Sequence, residues 1–227
     1  MYTFLVYNDQ THLPYVDKLL ESVRQFGPEF NIVVFDKKDM DPDFVEKNRP
    51  ILELPRGGGY WLWKPYIIHA TLSKLNEGDI LVYLDSKYFF IEPFTAWIET
   101  LLTNRDIGVF RNKPNEPSYA MKQWCKMDVI QKYGRTRQVF ENNEGDCWAG
   151  FVSLRKTRFT EVFIQEWLEM CTYENITDSP SVCPNDPCFI DHRHDQSLLS
   201  ILLHKYQLET PFFEKRYVQN VRCPYSL

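Results

Sequence analysis

Gly78–Asp79–Ile80–Leu81–Val82–Tyr83–Leu84–Asp85–Ser86 is the stretch that decides the fold. Ile80 to Leu84 is an almost unbroken apolar run, the pattern of a central strand buried on both faces. The run ends in Asp85. A lone carboxylate at the end of such a strand faces the crevice of an open α/β sheet, where it holds a hard cation or orients a hydroxyl. Its plainer role is capping, since Asp accepts backbone N–H bonds just after a strand.

Upstream, Thr3 to Tyr7 alternates and is rich in β-formers, and Asn8, Asp9 and Gln10 break it as a strand-ending loop does. Leu13, Val16, Leu19, Leu20, Val23 and Phe26 recur at helical spacing until Gly27 and Pro28 stop the pattern. Asn31 to Phe35 is a second strand. A βαβ opening predicts a mainly parallel sheet flanked by helices, with the ligand at the carboxyl ends of the strands. Pro50 to Pro55 reads as a short extended piece, and Arg56 to Gly59 as the most flexible point of the chain. Pro65 suits the first turn of a helix that runs through Leu72 and is closed by Asn76 to Gly78.

Downstream of Asp85, helices are expected at 94–103, 123–133 (stopped by Gly134), 158–170 and 195–206, and strands at 107–110 and 150–154. Cys171 to Asp191 holds three Pro and, after Cys171 itself, two Cys with little periodicity, which suits an ordered functional loop or a lid. No internal repeat interrupts this order, and 227 residues with 44% hydrophobic side chains suit one α/β domain.

The net charge of -5 lacks the electrostatic footprint of a nucleic-acid binder, so no nucleic-acid partner is expected. No run approaches the ~20 apolar residues of a membrane span, and no basic leader precedes the first strand, which points to the cytoplasm. The six Cys form no CxxC pair and read as reduced thiols, with a clip between Cys183 and Cys188 as the lesser alternative. The sequon at Asn175 matters only in a secreted chain. Aromatic residues make up 15%, more than a core strictly needs, so some are available as stacking platforms.

Two further clusters carry chemistry. His192, Arg193, His194, Asp195, Gln196 and Ser197 stand where a loop meets an apolar helix. Imidazole and carboxylate are common metal ligands, and His192 and His194 can point the same way in an extended loop, while Asp195 also suits an N-cap. Arg56 to Pro65, RGGGYWLWKP, combines glycines that admit close backbone approach with a helix N-terminus and the positive charges of Arg56 and Lys64. It is not a Walker loop, because the Lys stands five residues after Gly59 and precedes Pro65.

Four blocks in order carry a resemblance: GGGYWLWKPYII (57–68), GDILVYLDS (78–86), WAGFVSLRKT (148–157) and HRHDQSLLSILL (192–203). Together they resemble the GT-A type glycosyltransferases of the nucleotide-diphospho-sugar transferase superfamily, in particular small bacterial and algal giant-virus domains. In the latter such a domain can be the first part of a longer polypeptide. The resemblance implies a single Rossmann-like GT-A domain that uses a UDP-sugar donor, a UDP-hexose or UDP-deoxyhexose, and a glycan or other hydroxyl acceptor.

It further implies that Val6, Tyr7 and Asn8 lie near the nucleotide base and that Trp63 and Lys64 frame the same pocket. Asp85 matches the first Asp of the DxD motif, which holds Mn²⁺ or Mg²⁺ on the donor diphosphate. Ser86 follows it, and Lys87 stands where the second Asp is expected, so Lys87 itself is a phosphate contact or His192 and His194 complete the metal site. Asp195 and Gln196 resemble a pair that touches the donor sugar in some retaining members. An inverting enzyme would instead use Asp195, Asp146 or Glu144 as base. Trp148, Ala149 and Gly150 form the floor under the sugar or acceptor, although core packing explains Trp148 nearly as well. A metal-dependent hydrolase built on Asp85 and the 192–195 cluster, or a non-catalytic carbohydrate-binding module, are the competing classes.

Overall fold

The computed structural model describes residues 1–8, 13–111, 120–133, 145–212 and 216–220. Gly134, Glu144 and Cys223 lie outside the described residues. Strands β1 (Tyr2–Asn8), β2 (Phe30–Asp36), β3 (Ile80–Leu84), β5 (Ile107–Arg111) and β6 (Cys147–Arg155) form one sheet in the order β2-β1-β3-β6-β5. β1 is parallel to β2 and β3, whereas β6 runs antiparallel to both β3 and β5. The sheet is therefore mainly parallel with one reversed strand, and helices flank it. β4 (Tyr88–Phe90) and β7 (Val218–Asn220) make a separate two-stranded sheet that the sequence reading lacks.

Alternation along β3 sends its side chains into two cores. Ile80, Val82 and Leu84 join Val16, Leu19 and Val23 of the helix Leu13–Phe26 and Ile98 of the helix Thr95–Leu101. Leu81 and Tyr83 face the other side, toward the helices Trp63–Leu72, Arg158–Met170 and His194–Lys205. Every residue of β3 is buried, as the unbroken apolar run requires. Each such side chain contributes roughly 1.5–3 kcal/mol on leaving water.

Three expectations change. Pro50 sits in the first turn of a short helix, Arg49–Leu52, which follows the helix Pro42–Lys47, so this segment is not extended. Proline's fixed φ suits a first helical turn as well as an extended chain, and here the first wins. The helix expected over 123–133 is two, Met121–Trp124 and Met127–Tyr133. Cys125 between them is extended, and the Lys126 ammonium turns inward onto the carbonyl oxygens of Glu174, Thr177 and Ser179 at 2.6, 3.1 and 3.0 Å. The strand expected at 150–154 extends to 147–155, which puts Trp148 and Ala149 in the sheet beside Gly150.

The segment from Cys171 to Asp191 is ordered around the short helix Tyr173–Ile176 and the Lys126 contacts. Cys125, Cys147, Cys171, Cys183 and Cys188 are free thiols. Among the described residues no helix is long and apolar enough to cross a membrane.

Candidate functional site

The site lies at the carboxyl ends of β1 and β3, where an open α/β sheet places its ligands. Asp85 follows β3, and its N–H donates to the Gly150 carbonyl at 2.8 Å, tying it to β6. Asp85 Oδ1 accepts the Tyr83 hydroxyl at 2.7 Å. Tyr83 and Asp85 are two apart, so a strand's alternation puts both on one face, and that signal was available in the sequence.

Lys64, in the first turn of the helix Trp63–Leu72, aims its ammonium at this carboxylate. Nζ is 3.3 Å from Asp85 Oδ1 and 2.9 Å from Asp195 Oδ2. Lys64 is only 3% exposed and Asp195 4%. Asp195 lies inside the first turn of the helix His194–Lys205 rather than at its N-cap, which is Arg193. Trp167 Nε1 donates to the Asp195 carbonyl at 3.0 Å and fixes that turn against the helix Arg158–Met170.

The three charges perturb one another. Burial alone would lower the Lys64 pKa, but Asp195 and Asp85 outweigh it and hold the ammonium charged, above its ordinary range. Burial alone would raise Asp85, but Lys64, then Lys87 and the Tyr83 hydroxyl, hold it below the ordinary carboxylate value. Asp195 stays raised, because its burial and the charge of Asp85 exceed what Lys64 offsets.

Gln196 is fixed at both ends of its amide. Nε2 donates to Asp146 Oδ2 at 2.6 Å, and Oε1 accepts the Ala149 N–H at 3.2 Å. Gly150 is required beside it because an added Cβ would collide with the Trp148 indole. Trp148 meets Tyr88 edge-on at 4.8 Å and stacks toward Phe151 at 6.4 Å, so it is partly engaged in packing.

At the end of β1, Tyr7 stacks on Trp63 with ring centroids 4.0 Å apart. Among the described residues Asn8 Oδ1 is shielded from solvent and has no hydrogen-bond partner. An orphaned acceptor of this kind carries a desolvation cost that a ligand's donor would relieve. The side chain of Val6 is fully buried in the core, pointing away from any ligand space on the Tyr7 side.

The glycine segment is not a loose turn. Gly57, Gly58, Gly59, Tyr60 and Trp61 all have positive φ, between 53° and 96°, which makes one left-handed turn closed by Tyr60 N–H to Arg56 O at 2.7 Å. Trp63 Nε1 donates to the Gly57 carbonyl at 3.0 Å. Arg56 is committed to protein carboxylates. Its Nη1 contacts both oxygens of Asp178 at 3.0 and 2.9 Å, and its Nη2 contacts Asp191 Oδ2 at 2.6 Å. The Tyr60 hydroxyl joins Asp178 at 2.7 Å. No pattern in the sequence marks Asp178 or Asp191 as its partners.

His192 and His194 do come together, with ring centroids 5.4 Å apart. Each donates to a successive carbonyl: His192 Nε2–H to Asn175 O and His194 Nδ1–H to Ile176 O, both at 2.7 Å. His192 Nδ1 also accepts the Lys126 N–H at 3.4 Å, so both its ring nitrogens are taken. The His194 ring stacks on Trp61 at 5.4 Å, and its Nε2 lies 3.9 Å from Asp178. These contacts staple the 173–177 segment and the left-handed turn to the last long helix.

Mn²⁺ or Mg²⁺ at Asp85 does not fit this donor set. Lys64 occupies the space beside Oδ1, and the Lys87 ammonium lies 3.9 Å from Oδ2, so any cation there meets two positive charges. His192 has no lone pair to spare, and the lone pair of His194 Nε2 faces Asp178 at 3.9 Å without a hydrogen bond. Among the described residues no group of three or more His, Cys, Asp or Glu is arranged to hold a metal ion.

The sequence matches no protein-family model and no curated protein. The fold does match solved glycosyltransferases. The galactosyltransferase LgtC, solved with donor and acceptor sugar analogs, aligns with a TM-score of 0.52 at 15% identity over 94% of this chain and 74% of its own. The bifunctional glycosyltransferase WbbM gives 0.55 at 10% identity, and GlyE of Streptococcus pneumoniae gives 0.51 at 13%. Both cover 94% of this chain, which spans only 39% of WbbM and 45% of GlyE. The fold is thus that of the GT-A glycosyltransferases.

Proposed function

We propose that the chain is a glycosyltransferase that takes a sugar from a nucleotide-sugar, a UDP-hexose or UDP-deoxyhexose, and passes it to a hydroxyl of a glycan acceptor. The observation that carries this reading is the buried Lys64–Asp85–Asp195 cluster at the carboxyl ends of the parallel strands of a GT-A fold. The LgtC neighbour, solved with donor and acceptor sugar analogs, supports the same reading.

In this reading the nucleoside lies by the Tyr7–Trp63 stack, where Asn8 Oδ1 takes a donor from the base or ribose. The diphosphate lies over Asp85, Ser86 and Lys87, and the half-exposed Lys87 ammonium meets its charge as the nucleoside diphosphate leaves. The sugar rests on the Trp148–Gly150 floor, with its anomeric carbon at Asp195 and Gln196. The Asp195 carboxylate, held in place by Lys64, stabilises the positive charge that develops on the sugar ring as the bond to the diphosphate breaks. Gln196 is preorganised by Asp146 and the Ala149 N–H, so it needs no rearrangement at that moment. Arg56 and His194 act one step removed, by holding the left-handed turn against the 178–191 segment. A hydrolase built on Asp85 with His192 and His194 is less well supported, because the two rings are turned to backbone carbonyls.

A panel of UDP-sugars, each incubated with and without glycan acceptors and read as UDP release, tests the activity. One donor is expected to give acceptor-stimulated release that Asp195→Asn lowers by about 100-fold, the scale of one lost electrostatic stabiliser. Release at the same rate with and without every acceptor would favour hydrolysis instead.

A further inference from the structure

Lys64 stands where a cation would have to stand. Its Nζ lies 3.3 Å from Asp85 Oδ1 and 2.9 Å from Asp195 Oδ2, and the lysine side chain is almost wholly buried. The contact with Asp195 Oδ2 is close without the alignment of a hydrogen bond. The ammonium therefore acts as a point charge between two carboxylates, which suits lysine's compact, non-forked head. The remaining side of Asp85 faces Lys87, and its Oδ1 also accepts the Tyr83 hydroxyl. Lysine at position 87 and lysine between the carboxylates are thus two expressions of one arrangement, in which the chain itself supplies positive charge.

We propose that the Lys64 ammonium is the built-in cation of this site, filling the position between Asp85 and Asp195, so that the free protein holds no divalent ion there and a donor diphosphate binds without one. Only the last clause rests on the glycosyltransferase reading. The placement of the cation stands on the geometry alone.

The test uses Mn²⁺ as the probe, titrated into the nucleotide-free full chain and followed by the paramagnetic resonance of free Mn²⁺. The parent protein is expected to show no saturable binding. Lys64→Met leaves two carboxylates without their cation and is expected to gain one saturable Mn²⁺ site, with a rise in melting temperature on adding the ion. Adding Asp195→Asn to Lys64→Met removes that gain. Saturable Mn²⁺ binding by the parent that Asp85→Asn abolishes overturns the proposal, and this arm stands even where Lys64→Met does not fold. A folded Lys64→Met variant that ignores Mn²⁺ also overturns it.

In a parallel titration, UDP is expected to bind the parent equally well in chelator and in Mn²⁺. A tenfold or greater gain with Mn²⁺ contradicts the metal-independent part. Absence of UDP binding in both conditions counts against the nucleotide-sugar reading, while the Mn²⁺ arms still decide the role of Lys64.

Discussion

Lys64 and Asp195 meet at 2.9 Å although one opens the helix Trp63–Leu72 and the other the helix His194–Lys205. The pair ties the first turns of two helices together across the end of β3, with Asp85 as the third member. Removing the ammonium leaves two buried carboxylates without the positive charge between them. Lys64→Met is expected to cost about 3–5 kcal/mol in urea unfolding, the usual result of breaking a buried pair. The double variant with Asp195→Asn should recover part of it, because one of the stranded charges is gone. A loss below about 1 kcal/mol in the single variant would show that the pair does not hold the fold.

The left-handed turn makes two neighbouring glycines unequal. At Gly58 (φ +59°) an added Cβ meets nothing closer than 3.8 Å, so Gly58→Ala carries only the cost of the backbone, about 1–2 kcal/mol. At Gly59 (φ +96°) the Cβ would stand 2.7 Å from the Leu52 Cα, a backbone atom that cannot step aside. Gly59→Ala should therefore be clearly the more damaging in thermal unfolding. Equal losses would mean that the turn relaxes.

Arg56 reaches two carboxylates because its guanidinium is a fork. Lysine at that position keeps the charge but not the geometry. Arg56→Lys is expected to leave global stability nearly unchanged, since these groups are well exposed, and to speed amide exchange in the 178–191 segment. Unaltered exchange there would remove Arg56 from its clasping role.

Burial pushes the pKa of His192 from 6.5 down to about 3, and the nearby His194 adds to the shift. The unfolded chain therefore takes up a proton below pH 6.5 that the folded chain refuses. The stability from this residue is present above pH 6.5 and is lost as pH falls toward 3, at about 1.4 kcal/mol per pH unit. His194, also lowered by burial, acts in the same direction. Urea midpoints measured from about pH 7 to pH 5 should fall in the parent and fall less steeply in His192→Gln. Parallel slopes would place the pH sensitivity elsewhere.

Much of this architecture is legible in the chain. The apolar run 80–84 has the pattern of a doubly covered strand, which it forms, and Asp85 stands at its end. The helical spacings from Leu13 and from Arg158 fall on the observed helices. Strand direction is not legible: the apolar pattern of 147–155 suits a parallel or an antiparallel neighbour equally, and β6 is antiparallel. Nor could the sequence show that Lys64 lies between Asp85 and Asp195, because that contact exists only once two distant helices pack on one sheet. The residue types of the 192–195 cluster suggest ligand chemistry. Which nitrogen faces which carbonyl depends on the 173–177 segment, whose position is set by the buried Lys126.

A nucleotide-sugar site at the ends of β1 and β3 is tested most directly by calorimetric titration with UDP. Saturable binding is expected, weakened about tenfold in Asn8→Ala, since a ligand bond to the orphaned Oδ1 is worth about 1.4 kcal/mol. No detectable UDP binding by the folded parent, with or without Mn²⁺, would contradict it.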